Sequence, residues 1–185
     1  MPWIDYINEE EAKGELIDIY DEIKKKRGKI SNVMKIHSLN PDVIKKHMDL
    51  YISIMFGKSD LSRKDRELIA VVVSLINNCN YCIKHHAEAL SHYWNDQGEL
   101  EKLIKDFNTV EFSEKTQVML KYVFQLTKSP DKICKNDIDK LRTIGFSDRD
   151  ILDINLIVSY FNFVNRIVLG LGVEFSDEEI KGYNY

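Results

Sequence analysis

The chain has 185 residues, of which 44% are hydrophobic and 30% charged, and its formal net charge is −4. This composition is typical of a globular protein with one sizeable core, and the acidic balance argues against nucleic acid as a main partner. Eight glycines and three prolines are few for this length, which favours helices. We therefore expect a single all-α domain over residues 1–185, with extended ends at 1–8 and 173–185.

Neither a secretory leader nor a membrane-spanning helix is expected. The N-terminal residues lack an apolar stretch, and the longest apolar run, Leu68 to Ile76, is about half as long as a spanning helix needs. Three cysteines are an odd number and do not suggest a secreted disulfide framework. We predict a cytoplasmic protein without a membrane partner.

Apolar spacing and helix-breaking residues predict about eight helices. The first runs from Glu9 to Arg27 and ends in the basic run 24–27. We interpret this run as a solvated helix end, although it could also contact an anionic partner. Ser62 is the predicted N-cap of a buried helix that ends near residue 75, and Ser147 is the predicted N-cap of a long apolar helix at 148–169. The other helices are expected at 42–56, 79–94, 99–107, 113–128 and 138–144, with a short turn or helix at 30–38.

The stretch 67–86 carries most of the residues that can do chemistry. Cys79 and Cys82 form a C-x-x-C pair, which in a reducing compartment is more often catalytic or metal-binding than structural. Asn77 and Asn78 precede the pair, and Asn is a good N-cap and a poor helix-interior residue. We therefore predict a reversal at Asn77 and Asn78, followed by a second helix that starts at Cys79.

The reversal decides whether Glu67 can take part in a site. In one unbroken helix Glu67 would lie ~22 Å from Cys82, at 1.5 Å per residue. With a reversal, Glu67 falls opposite His86. The spacing i, i+3, i+7 places Cys79, Cys82 and His86 on one face of the second helix. The order carboxylate, imidazole, thiol suits proton transfer, with Glu67 orienting His86 and His86 taking a thiol proton.

This pattern, E-x11-C-x2-C-x3-H, resembles the motif of the alkylhydroperoxidase D-like (AhpD-like) enzymes of the carboxymuconolactone decarboxylase superfamily. Segments 61–63, 69–74, 160–166 and 170–173 resemble the peroxidase-related branch of that superfamily. The resemblance extends over most of the chain, roughly residues 10–180. One position departs from it: the residue before the second cysteine is a histidine in the best-known members and is Tyr81 here.

The resemblance implies an all-α AhpD-like domain that forms homo-oligomers, commonly trimers or hexamers. It implies a thiol-dependent peroxidase or thiol–disulfide oxidoreductase, in which Cys82 attacks a hydroperoxide and Cys79 then closes a disulfide. An external dithiol or disulfide reductase would reset the pair. The nearness of His86 also favours Cys82 as the attacking thiol, whereas the helix dipole alone favours Cys79. No organic cofactor is expected, because the sequence has no glycine-rich phosphate loop.

Other polar residues are candidates for supporting the site. Tyr81, His85 and Asn78 adjoin the motif, but His85 is next to His86, so at most one of these two rings can point at the sulfurs. Cys134 has no cysteine or histidine near it in sequence, and we interpret it as an inert thiol. The long apolar helix is interrupted by residues that could hydrogen-bond near the site or across an interface: Asn155, Asn162, Asn165 and Arg166.

Two other interpretations stay open. The cysteine pair and His86 could ligate Zn²⁺, with Glu67 or His85 as a fourth ligand, in a metal-binding or structural oligomer. Structural zinc sites, however, usually draw their ligands from two separated segments. The other alternative is a decarboxylase or lactone-handling enzyme of the same superfamily, although such relatives generally lack the C-x-x-C pair.

Overall fold

The structure is a computed structural model, and it describes residues 2–184. The regular elements of the described chain are all helical, which confirms the all-α prediction. Eight of the ten described α-helices have nine residues or more, in agreement with the expected number. In chain order they are α1 (Glu15–Arg27), α2 (Asn32–Lys35), α3 (Pro41–Phe56), α4 (Arg63–Ile76), α5 (Asn80–Ser91), α6 (Gln97–Lys105), α7 (Glu114–Lys128), α8 (Lys135–Thr143), α9 (Asp148–Leu171) and α10 (Asp177–Ile180).

Helix α4 lies at the centre of the fold. Every residue from Arg66 to Ser74 is buried, and the helix packs against α3, α5, α7 and α9. A helix that is apolar nearly all round is stable only when neighbours cover all its faces. Each large aliphatic side chain buried in this run contributes about 1.5–3 kcal/mol. The core therefore fixes the position of Glu67, which lies on the same helix.

Helix α9 is the second core helix and has 24 residues. Ser147 caps it by accepting a hydrogen bond from the Asp150 N–H, as predicted. Its buried side chains, such as Ile154 and Phe161, belong to the main hydrophobic core. By length and composition α9 could cross a membrane, but 44% of that stretch is buried inside the fold, as is common for a core helix of a soluble protein.

Helices α1 and α3 form a second, smaller core around Tyr20 and Ile44. The predicted helix start at Glu9 was wrong. A one-turn 3₁₀ helix at Glu9–Glu11 comes first, and α1 begins only at Glu15. The reason is Gly14, whose φ of +57° lies in the left-handed region and interrupts the helical path.

The two chain ends differ from each other. Residues 2–8 hold no regular element, as expected for an extended end. The prediction of an extended end at 173–185 was wrong for the described part of that segment, because Ser176 caps the one-turn helix α10 and Ile180 is buried. Met1 and Tyr185 lie outside the described residues. The C-terminal segment therefore packs against the fold, next to the site described below.

Candidate active site

The chain reverses between α4 and α5, where the sequence predicted it. Asn77 ends α4, and Asn78 has a φ of +55°, a left-handed conformation that asparagine tolerates better than most residues. The Cys79 N–H then donates to the Ser74 carbonyl at 2.9 Å, and Cys79 is the N-cap of α5. Asn78 thus supports the site through its backbone, while its side chain is exposed.

The two cysteines at the start of α5 are free thiols and almost completely buried. Their sulfur atoms lie 2.7 Å apart. The hydrogen bond from Cys82 lowers the pKa of Cys79, whereas burial, together with the neighbouring Cys79 sulfur, raises the pKa of Cys82. The two sulfurs are close enough for a disulfide to form with little movement.

Glu67 and His86 face each other across the two helices. His86 Nδ1 lies 2.7 Å from Glu67 Oε2, and the other oxygen of Glu67 accepts a hydrogen bond from Arg63 Nη2 at 2.6 Å. Because a carboxylate only accepts hydrogen bonds, Nδ1 carries the hydrogen and Nε2 of the neutral ring is the proton acceptor. The edge of the ring contacts Phe161, with ring centroids 4.4 Å apart. The imidazole is therefore fixed from two sides.

A small cavity of about 80 Å³ adjoins this arrangement. Cys82 and His86 both line it, whereas Cys79 does not. The rest of the lining is largely apolar and aromatic, with Tyr51 and Tyr160 among the rings. A molecule inside the cavity would therefore meet the sulfur of Cys82 and the imidazole of His86 from the same side.

Comparison with known proteins shows the family to which the chain belongs. The model of the carboxymuconolactone decarboxylase family matches residues 41–122, the segment that holds the cysteine pair and the Glu67–His86 pair. The solved structure of an uncharacterized peroxidase-related protein from Silicibacter sp. TM1040 is 30% identical, with a TM-score of 0.82, and the match covers 97% of this chain and 91% of that one. The chain belongs to the AhpD-like/carboxymuconolactone decarboxylase superfamily.

Two further solved structures share the AhpD-like fold over nearly their whole lengths. One is the alkylhydroperoxidase AhpD core of an uncharacterized peroxidase-related protein from Ralstonia eutropha JMP134, at 22% identity, a TM-score of 0.86, and 97% and 94% coverage of the two chains. The other is the debrominase Bmp8, at 19% identity, a TM-score of 0.77, and 95% and 96% coverage. At 22% and 19% identity, these two structures show that the chain shares their fold.

Tyr81 and His85 tie helix α5 of this AhpD-like protein to α2 and α10. The Tyr81 hydroxyl accepts from the Val33 N–H at 3.2 Å and donates to Glu179 Oε1 at 2.9 Å. The His85 ring stacks on Tyr81, and its Nδ1 donates to the Tyr81 carbonyl at 2.8 Å. His85 Nε2 lies 2.5 Å from Glu179 Oε2. Both ring nitrogens of His85 face acceptors, so this ring supports the wall of the cavity and His86 alone faces Glu67.

Asn165 on α9 is a polar group behind the cysteine pair. It is completely buried, its amide donates to Ser74 Oγ at 3.2 Å, and its oxygen accepts from Asn77 at 2.9 Å. Asn165 also lowers the pKa of Cys82 and so partly offsets the rise that burial causes. In the sequence, Asn165 stood out only as a polar residue in an apolar helix. The same is true of Asn155, whose side chain donates a hydrogen bond to Tyr122 instead.

The mouth of the cavity is formed by residues that the sequence assigned elsewhere. Arg27, predicted to be solvated, is only 7% exposed and lines the cavity together with Tyr183 of the C-terminal segment. The Arg27 guanidinium donates to the Asn184 carbonyl, and the Asn184 N–H donates to the Arg27 carbonyl at 2.9 Å. These contacts join α1 to the end of the chain, so no local sequence pattern could indicate them.

The zinc interpretation receives no support from the described side chains. Within residues 2–184, no group of three or more His, Cys, Asp and Glu side chains is arranged to hold a metal ion. Cys134, the third cysteine, is exposed, and its thiol lies 3.3 Å from Asp137 Oδ2 at the start of α8.

Proposed function

We propose that this AhpD-like protein is a thiol-dependent peroxidase that reduces hydroperoxides through the Cys79–Cys82 pair. The observation that supports it is the placement of a buried dithiol and an oriented carboxylate–imidazole pair beside one small cavity. The dithiol supplies two electrons, and the imidazole supplies a proton acceptor that becomes a proton donor.

The first step forms a sulfenic acid at Cys82. His86, oriented by Glu67, takes the first proton of the cysteine pair. The first proton comes from Cys79, whose pKa is the lower, and the 2.7 Å contact then lets the Cys82 proton pass to Cys79, so that the anion reaches the sulfur at the cavity. The Cys82 thiolate attacks the terminal oxygen of the hydroperoxide: an S–O bond forms and the O–O bond breaks. The departing alkoxide takes the proton from the His86 imidazolium and leaves as an alcohol.

The second step closes the disulfide. The Cys79 sulfur attacks the sulfur of the Cys82 sulfenic acid, an S–S bond forms, and the hydroxyl leaves with the Cys79 proton as water. An external dithiol or a disulfide reductase then returns two electrons and two protons to the pair. Cys82 is the one cysteine in the described cavity lining, and the third cysteine, Cys134, is exposed and outside it, so we infer that the reductant is a separate molecule.

The test is intact mass and thiol counting before and after one equivalent of tert-butyl hydroperoxide, on metal-free protein. We expect the loss of two thiols and of the mass of two hydrogen atoms, located by proteolysis in the peptide that contains both Cys79 and Cys82. Intact thiols after exposure to the peroxide would contradict the proposal. Cys134 serves as the internal control, because it should remain a thiol.

Reductive dehalogenation is a second candidate, favoured by the aromatic lining of the cavity and by the fold shared with the debrominase Bmp8. The same dithiol can replace a C–Br bond with C–H while the disulfide forms and bromide and a proton leave. Release of bromide from a bromopyrrole, by protein that leaves hydroperoxides unchanged, would favour this candidate over the first.

We also infer that the chain assembles as a homo-oligomer, a trimer or hexamer by its family resemblance. The supporting observation is a row of exposed apolar side chains on α9, which includes Leu152, Leu156 and Phe163. Exposed apolar side chains that share one face of a helix are typical of a protein interface. The cytoplasmic location stays a prediction.

A further inference from the structure

The cavity beside Cys82 carries cationic groups and no acidic ones. Arg27 and Lys29 both line it, and none of the described lining residues is an aspartate or a glutamate. The carboxylates of Glu67 and Glu179 lie behind the lining residues His86 and Tyr81 and not in the wall itself. Cations in a cavity wall attract anions. The cavity is therefore suited to a molecule that carries a negative charge.

Arg27 is a buried cation without a carboxylate partner among residues 2–184. It is 7% exposed, yet its guanidinium forms no ion pair with a carboxylate of residues 2–184. Its neighbours on α1 behave differently, since Lys24 pairs with Glu9 at 2.5 Å and Lys26 pairs with Glu22 at 2.8 Å. A charge that is buried without a counter-ion is costly, so a buried arginine in a cavity wall favours binding of an anion.

The hydrogen bonds of Arg27 leave room for such a ligand. Of the five N–H donors of a guanidinium, Arg27 uses one on the Asn184 carbonyl and one in a long 3.4 Å contact with the Tyr51 hydroxyl. Arg66 is equally buried and also lacks a carboxylate partner, but it donates to three backbone carbonyls and lies away from the cavity. Arg66 therefore has a structural role, whereas the remaining donors of Arg27 are available to a bound molecule.

Aromatic rings hold the Arg27 guanidinium in place. Its central carbon lies 4.7 Å from the ring centre of Phe56 and 5.3 Å from that of Tyr51. Tyr51 in turn lies 5.9 Å from Tyr160, which lines the cavity with Cys82. The rings of Tyr51 and Tyr160 thus form an aromatic wall in the cavity that Arg27 and Cys82 also line.

We propose that Arg27 determines substrate specificity and that the substrate of Cys82 is a small, mainly apolar molecule with one carboxylate. The carboxylate pairs with the Arg27 guanidinium, whose planar fork matches two oxygens, and the apolar body contacts the aromatic wall. Because Arg27 and Cys82 line the same cavity, one molecule can contact both. The small cavity, about 80 Å³, suits a compact organic acid that, under the proposed function, carries a hydroperoxide group.

The test compares two alkylating probes that differ only in charge, iodoacetate and iodoacetamide. Each forms an S–C bond with a thiolate and releases iodide, and the rates at Cys82 are measured on the reduced full chain by peptide mass spectrometry. The ratio of the two rates cancels the thiolate fraction of Cys82. We expect this ratio to exceed that of N-acetylcysteinamide, a neutral free thiol.

Variants on α1 identify the responsible cation. Arg27→Gln should lower the ratio at Cys82 by about tenfold, the effect of one charge-assisted hydrogen bond. Arg27→Lys, which keeps the charge, should retain a ratio above that of Arg27→Gln. Lys25→Gln makes the same change of net charge at an exposed position of the same helix and should leave the ratio unchanged. In the wild-type chain, propionate should slow alkylation of Cys82 by iodoacetamide, and propionamide should not.

The outcomes separate this inference from the proposed function on which it rests. A Cys82 ratio equal to that of the free thiol, with no protection by propionate, would overturn the anion site, and so would a Cys82 that neither probe reaches. Hydroperoxide consumption is measured on the same samples. A raised ratio without peroxide consumption would support the anion site and contradict the peroxidase proposal. Peroxide consumption with a ratio equal to that of the free thiol would support the peroxidase proposal and contradict the anion site.

Discussion

Glu67 and His86 lie nineteen residues apart in the sequence, and a 2.7 Å contact between their side chains joins α4 to α5. Glu67 is completely buried, and Arg63 holds its second oxygen at 2.6 Å. A buried carboxylate with charge-assisted partners on both oxygens keeps a fixed orientation. The core that surrounds α4 therefore sets the direction in which His86 accepts a proton.

The first prediction concerns this carboxylate. Glu67→Gln keeps the size of the side chain and removes the charge that stabilises the His86 imidazolium. We expect kcat/KM for hydroperoxide reduction to fall about 100-fold, within the usual contribution of general acid–base catalysis. The pH profile of alkylation of the cysteine pair should move to higher pH. Steady-state kinetics and pH-dependent alkylation measure the two effects.

Glu88→Gln is the matched control. Glu88 and His92 form a carboxylate–imidazole pair on the same helix, 3.7 Å apart, but neither lines the cavity. This variant should keep both the rate and the profile of the wild type. If Glu67→Gln behaves in the same way as Glu88→Gln, the carboxylate has no part in the chemistry.

The second prediction separates the roles of the two sulfurs. Cys82→Ser leaves no thiol at the cavity and should abolish reaction with hydroperoxide. Cys79→Ser should still react once, giving a sulfenic acid at Cys82 that dimedone traps and mass spectrometry detects, but it should not turn over. Cys134→Ser should behave like the wild type. A trapped sulfenic acid at Cys79 in the Cys82→Ser variant would reverse the assignment.

Local patterns in the sequence were sufficient to predict the reversal and what it brings together. The Asn77–Asn78 breaker and the helical spacing after Cys79 are local features, and one reversal converts them into a contact between Glu67 and His86. The start of α1 was mispredicted because apolar spacing continues across Gly14, whose positive φ outweighs it.

The cavity mouth could not be predicted in the same way. Arg27 lies in a basic run that is typical of a solvated helix end, and only its contact with Asn184, 157 residues away, shows that it is buried. Glu179 was part of a segment expected to be an extended end. Its contacts with Tyr81 and His85 depend on how the end of the chain packs on α5. Such long-range contacts have no periodic signature.

The third prediction tests Asn165. Asn165→Ala removes one hydrogen-bond partner from each of Ser74 and Asn77 and should lower the free energy of unfolding by about 1–3 kcal/mol. It should also shift alkylation of Cys82 to higher pH, because Asn165 favours the thiolate. Asn155→Ala, on the same helix, loses the hydrogen bonds to Tyr122 and Ser159 and should change stability without the alkylation shift. Equal alkylation profiles for both variants would exclude a role for Asn165 at the sulfur.

The fourth prediction is a pH dependence at Glu179. Burial raises the pKa of Glu179, but hydrogen bonding and charge from His85, with the Asn32 N–H, outweigh it, so the pKa in the folded chain lies below its ordinary value of 4.5. A lowered folded pKa stabilises the fold above pH 4.5, and this stabilisation is lost as the pH falls through the folded value.

Glu179→Gln should therefore lower the free energy of unfolding by about 1–2 kcal/mol at pH 7, and the difference from the wild type should shrink below pH 4.5. Denaturant titrations at several pH values measure it. The control is Glu178→Gln, which changes an exposed neighbouring carboxylate. This variant should have little effect on the free energy of unfolding at any of these pH values. A difference that grows on acidification would contradict the sign of this linkage.

The fifth prediction concerns the exposed apolar row of α9. Leu156 is 40% exposed and lies between Leu152 and Phe163 on the same side of the helix. If a second copy covers this surface, Leu156→Glu places a charge in the interface and should reduce the mass measured by sedimentation velocity to that of a smaller species. Ile17→Glu makes the same type of change at an exposed position of α1 and should leave the wild-type mass. A wild-type chain that sediments as a monomer would contradict the oligomer. The proposed site would be unaffected, because all its residues lie within one chain.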